Sequence, residues 1–172
     1  TVAENMFLGR EIKKGRKLDN KTMNQKAKEQ LDASETPSNP ADWQTPYHKT
    51  QVYLKSAVPN PIVDSVKGEW AIIGLARSDA SMSTNYYSSY YDRVVAYVDS
   101  HINAAGQLHT IKSTDNSRVA LAVTAIGKDP RNVGSHNLLT ALNDVDYVNQ
   151  QGVNGPIWAL LALDSTNSDA PG

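Results

Sequence analysis

Few side chains in this sequence are of types and spacings that could do chemistry. Asp144 and Asp146 stand two apart in NDVDYV, and paired carboxylates can hold one proton between them as a general acid. His48, His101, His109 and His136 are the four imidazoles, but no two lie at i, i+4, the spacing that aims two rings at one metal ion. Ser135 and His136 are adjacent; neighbours on a helix point apart, so they form no nucleophile–base pair. Lys128, Asp129 and Arg131 crowd GKDPRN, which reads more simply as a helix C-terminus followed by a turn, with Lys128 favoured by the helix dipole. Cysteine is absent, which removes disulfides, thiolate zinc sites and thiol nucleophiles together. There is no Gly-x-Gly-x-x-Gly and no phosphate loop. The expectation is no catalytic set, no metal site and no cofactor.

The aromatic residues are better candidates for binding. Trp70 and Trp158 sit in apolar segments, where a large ring either fills a core or lines a cavity. Tyr86, Tyr87, Tyr90 and Tyr91 form two i, i+4 pairs, each with an apolar ring and a polar tip suited to stacking on a sugar or peptide. The same four rings also suit an outer helix packed on an inner one. These six residues are the candidate ligand contacts.

The elements that must position them read as helices throughout. Asp19 can cap a helix through KTMNQKAKEQLDA, with Met23, Ala27 and Leu31 on one face. ETPSNPADWQTP, residues 35 to 46, is proline-rich and reads as a linker. YHKTQVYLKSA, residues 47 to 57, is a short helix anchored by Tyr47, Val52 and Leu54, ended by VPNP. Residues 62 to 76 are apolar and helical. Ser83 or Thr84 can cap the next helix, on which Tyr86, Tyr87, Tyr90, Tyr91, Val94, Val95 and Val98 make one wide face, with Gly106 as its stop. SRVALAVTAIG, residues 117 to 127, is capped between Asp115 and Ser117 and closed by Gly127. HNLLTALNDVDYV, residues 136 to 148, is a further helix. NQQGVNGP is a turn sharpest at Asn154-Gly155, and PIWALLAL is the last helix, with Pro156 tolerated in its first turn. No strand pattern survives, so the fold class is all-α.

Three of these segments repeat one apolar phrase. GEWAIIGLAR, RVALAVTAIGKD and GPIWALLALD align on Trp70, Leu121 and Trp158, at offsets of 51 and 37 residues. Periods in this range mark arrays of helical hairpins. Each phrase carries a small residue four positions after its first large one (Gly74, Ala125, Ala162), on the same helix face. Small residues there let backbones approach, so the phrase describes an inner helix covered by other helices.

Composition bounds the partners. The net charge is -1 over 172 residues, with residues 1 to 35 at +2 and the remainder at -3. Nothing in that balance calls for nucleic acid or an anionic membrane. No run of about 18 apolar residues is present, so no transmembrane segment is expected. The division expected is a polar extension, residues 1 to 46, followed by a helical domain, residues 47 to 172.

VPNPIVDSVKGEWAIIGLARSD, YYSSYYDRVVAYVDSH, SRVALAVTAIGKDPRNVG and QQGVNGPIWALLALDS come in an order and spacing that resemble the bacterial cell-surface α/α-toroid domain related to the prenyltransferase and squalene-cyclase (terpenoid cyclase) repeat. The cobalamin carriers of the transcobalamin and intrinsic-factor type share that toroid. The likeness covers roughly residues 50 to 168, and GKDPRNVG and GPIWALLALDS are its most specific parts. It implies a secreted or cell-surface bacterial protein with a groove for a hydrophobic or cobalamin-like ligand. Complete toroids close a ring of about six hairpins, so it also implies an incomplete toroid, about half a ring. A homo-dimer or a C-terminal half beyond Gly172 would complete it. An enzyme of the cyclase class would need an Asp-x-Asp-Asp acid, and Asp144-Val145-Asp146-Tyr147 lacks the final Asp. The zinc of protein prenyltransferases needs a cysteine that this chain does not have. A binding or scaffold role is therefore expected first, an enzyme completed by a missing half second, and a structural spacer third.

Overall fold

The computed structural model describes residues 13–14, 17–34, 43–63 and 67–166. Most of the expected proline-rich linker, and the tail after Thr166, lie outside the described residues. The chain divides into two compact units, Thr1–His48 and Lys49–Gly172.

In the first unit a two-residue ladder pairs β1, Lys13–Lys14, antiparallel to β2, Lys17–Leu18. No strand was expected here; two residues are too few for an alternating pattern to register. α1 spans Asn20–Ser34. Asp19 caps it as expected, accepting the backbone N–H of Thr22 at 3.1 Å and its hydroxyl at 2.7 Å. Met23 is buried.

α2 spans Gln44–Ala57 and ends where VPNP begins. Of its expected anchors Leu54 packs against the core, but Val52 is exposed, whereas Gln51 is buried and donates to Asp79. The next helix is shorter than expected. α3 spans Glu69–Ala76, and the described residues 62 and 63 are not helical. α4, Tyr86–His101, starts after Asn85, not Ser83 or Thr84, and stops five residues before Gly106. Its face is as read: Tyr86, Tyr90, Val94 and Val98 are buried, with Tyr87, Tyr91 and Val95 packed beside them.

α5, Ser113–Ala125, begins four residues before the expected start and carries no capping side chain of its own. Asn116 instead ties down the preceding loop. Its side-chain oxygen accepts from Leu108 N–H at 2.9 Å, and its amide donates to the carbonyls of Gly106 at 2.7 Å and Leu138 at 3.0 Å. At the other end Gly127, with φ +74°, turns the chain. Gly127 N–H donates to Thr124 O and Lys128 N–H to Val123 O, the paired bonds that close a helix through a left-handed residue.

The segment expected as one helix, residues 136 to 148, is broken. A 3₁₀ turn, Thr140–Asn143, precedes α6, Val145–Asn149. Asp144 is the reason: in extended backbone, its carboxylate accepts from Tyr147 N–H at 3.1 Å and starts a new helix. Asp144 is thus a cap. Ser135 and His136 are not on a helix: Gly134 and Ser135, both at positive φ, form a two-residue turn, and His136 bridges back to Val133.

α7 spans Asn154–Thr166, with Pro156 in its first turn. Asn154-Gly155 is already helical, and the positive-φ residue of the preceding turn is Gly152. Gly155 serves a different purpose: a Cβ there would run into the Val148 carbonyl. α5 lies against α7 on one side and α3 on the other. The close approach falls on Ala120, Ala122, Ala159 and Ala162, all buried. Of the three small residues expected to mark it, Ala162 does; Gly74 is exposed, with little beside it but Leu54, and Ala125 is half-buried.

Candidate ligand-binding site

α3, α5 and α7 present their N-termini at one end. Trp70, second residue of α3, packs its ring on Trp158 of α7, centroids 5.0 Å apart and planes at 58°. Ser113, first residue of α5, reaches the segment just before α7, donating to Gln151 Oε1 at 3.3 Å and to Val148 O at 3.4 Å. The three apolar phrases therefore run parallel, and α4 and the 3₁₀–α6 segment lie in the returns between them.

Carboxylates occupy the positive helix ends. Glu69 opens α3 and is fully buried; Asp115 lies in the first turn of α5. Arg118, one turn into α5, joins them. Its Nε donates to Glu69 Oε2 at 3.1 Å and its Nη1 to Asp115 Oδ1 at 3.0 Å. Burial, and then the Glu69 charge, push the neighbouring Tyr90 phenol upward, so it stays a neutral hydroxyl.

A cleft of about 260 Å³ opens over this cluster, lined by Trp70, Thr114, Arg118, Gln151, Asn154 and Trp158. Gln151 is held in place: its Oε1 accepts Thr114 N–H at 2.8 Å and so caps α5 in trans. The Thr114 hydroxyl, the Gln151 NH₂ group and the Asn154 amide make no hydrogen bond to the described residues, so polar groups remain available at the mouth.

The structure brings together two of the six candidate contacts. Trp70 and Trp158 share the cleft. The tyrosines lie elsewhere and are largely held by protein. Tyr86 is buried and donates to Val58 O at 2.8 Å. Tyr87 stands edge-on to Tyr86 at 5.4 Å. Tyr90 is fully buried beside Glu69, where no ligand reaches it. Tyr91 donates to Asn132 O at 3.2 Å, with the Lys128 ammonium 5.3 Å from its ring centre.

The histidines are scattered. His101 stacks on Tyr97 at 3.9 Å; His136 lies 3.4 Å from Asp99; His109 accepts the N–H groups of Ile111 and Lys112 through Nδ1. His48 packs beside Tyr47. Among the described residues no three His, Cys, Asp or Glu side chains gather where a metal could sit. Asp129 pairs with Arg131 in the turn after α5, a pairing that holds its carboxyl below the usual range.

The polar half of the cleft was missed in the sequence. Glu69 and Arg118 did carry a signal: opposite charges at the heads of two apolar phrases that pack side by side. Gln151 and Asn154 carried none, because their role depends on how the turn before α7 returns to α5.

No known protein family, no curated protein and no solved structure matches this chain. What fold and site define is a helical domain whose three parallel apolar helices converge on an aromatic, polar-lined cleft. Among the described residues no helix is long and apolar enough to cross a membrane.

Proposed function

We propose that the chain is a non-catalytic binding domain of a secreted, surface-attached bacterial protein, built as an incomplete α/α toroid of helical hairpins, with its ligand at the Trp70–Trp158 cleft. One observation carries the reading. At the convergence of three apolar helices, where a spacer would be filled by side chains, two tryptophans border a cavity of about 260 Å³ with open polar groups. The parallel run of α3, α5 and α7 supports the toroid; a second copy or further chain would complete the ring. Ligand pockets for drug-sized molecules span about 300–1,000 Å³. This cleft falls just below, so it suits one ring, or one edge of a larger hydrophobic or cobalamin-like molecule.

Trp70→Ala and Trp158→Ala test the reading. The expected result is that a ligand retained on the purified protein, seen as extra mass in a native spectrum and lost on denaturation, disappears while the urea midpoint moves little. Parallel loss of bound mass and of stability would return both rings to simple packing.

A further inference from the structure

We infer that the ligand of the Trp70–Trp158 cleft is a neutral saccharide, held by one pyranose ring. The assignment rests on the cleft being a ligand site at all, and it names the class.

Charge decides first. Arg118 is the cleft's one cation, and both of its described partners are carboxylates, at 3.0 and 3.1 Å. Glu69 and Asp115 meet the Arg118 charge from beneath the cleft. An anionic ligand meets no free positive group there. A cation meets no carboxylate in the lining, only Arg118. A neutral ligand avoids both penalties.

Shape and hydrogen bonding decide next. A pyranose has an apolar face of ring C–H groups and an equator of hydroxyls. Each indole of the tilted pair offers an apolar ring face for it. Gln151, Thr114 and Asn154 offer the equator. The Gln151 oxygen is already taken by Thr114 N–H, so its amide is fixed with two N–H donors left. Asn154 adds a donor and an acceptor, and Thr114 adds both in one hydroxyl. Planar amides that donate and accept side by side match vicinal hydroxyls, which also do both. A purely apolar ligand would pair with none of these groups, whereas a pyranose uses them. The volume of about 260 Å³ accommodates a single ring.

The test is an NMR titration of the intact chain, following the three indole N–H resonances, with glucose, galactose and N-acetylglucosamine as neutral probes. Glucuronate and cyanocobalamin are run in parallel. The expected result is a shift of the Trp70 and Trp158 indoles by at least one neutral sugar, with the Trp43 indole still. The affinity expected is in the millimolar range that suits a single small ring. Asn154→Ala, at an exposed position, is expected to weaken binding about fivefold with unchanged spectra elsewhere, and Gln151→Ala more than tenfold. Shifts at the same two indoles from cyanocobalamin or glucuronate alone would keep the ligand site and overturn the neutral saccharide. Still indoles with every probe would overturn both. A sugar response unaffected by Asn154→Ala and Gln151→Ala would place the sugar elsewhere and overturn the assignment.

Discussion

α5 and α7 carry the same apolar phrase and have opposite fates. On α5, Val119, Ala120, Ala122 and Val123 are all fully buried, because α3 lies on one flank and α7 on the other. On α7 only Gly155, Ala159 and Ala162 are buried, while Leu160 is 61% exposed and Ile157 and Leu161 are 48% exposed. The small residues of α7 meet α5, while Ile157, Leu160 and Leu161 face away. An apolar surface all round a helix thus says what the helix can bury, and its neighbours decide what it does bury.

The largest expected effect breaks the α5 side at its charged end. Arg118→Met removes the described ion-pair partner of the fully buried Glu69, and should cost about 4 kcal/mol. Urea unfolding reads it. Glu69→Gln combined with Arg118→Met should recover most of the loss, since the penalty belongs to breaking the charge pair. A cost below about 1 kcal/mol for Arg118→Met would mean that water reaches Glu69 and that α3 is not locked to α5.

Val123→Ala comes next. Removing two buried methyl groups between three helices should cost about 2 kcal/mol. Calorimetry or urea denaturation measures this directly. A loss under about 0.5 kcal/mol would show that the α5 environment collapses to fill the space, and the contrast with α7 would lose its energetic meaning.

Tyr147 sharpens the comparison at the strut between the two helices. It lies on α6, is 1% exposed, and donates to the His109 carbonyl at 2.6 Å, tying the α6 segment to the loop that feeds α5. Tyr147→Phe keeps the ring and should cost about 1 kcal/mol. It should also change the alkaline limb of stability. Burial, and then the Asp115 charge, raise the phenol from 10.0 to about 12. A folded-state pKa above the unfolded one means that the contribution is complete below pH 10 and drains away as pH rises toward 12. Wild type should therefore lose stability across that window more steeply than Tyr147→Phe. Identical slopes would mean that the phenol is hydrated in the folded state.

What could be read in advance followed from local physics. The Asp19 cap, the Gly127 closure and the tyrosine–valine face of α4 each depend on residues within a few positions of one another. The misreadings needed distant partners. Asn116 holds the loop before α5 at Gly106 and Leu108 while also bonding to Leu138, and no pattern within α5 announces that. Asp144 cut an apparently continuous helix because capping competes with propagation, and periodicity does not record that competition. Of the cleft, the two tryptophans were legible from size and phrase. Its polar rim was not, because Gln151 becomes a cap for α5 only once α6 has brought the chain back.

The smallest expected effect falls on α7 and tests whether its outer face is open. Leu160→Gln replaces a side chain already mostly in water, so stability should change by less than about 0.5 kcal/mol. Binding of an apolar dye should fall, because the patch with Ile157 and Leu161 is interrupted. If Leu160→Gln instead costs about as much as Val123→Ala, something covers the face in solution. Sedimentation of wild type and variant then separates the possibilities. A wild-type dimer that the variant dissociates would make α7 an inner helix flanked on both sides like α5, with its second neighbour supplied by another copy. A monomer in both cases would place that neighbour within the same chain. Either result would give the repeated phrase one meaning in both places.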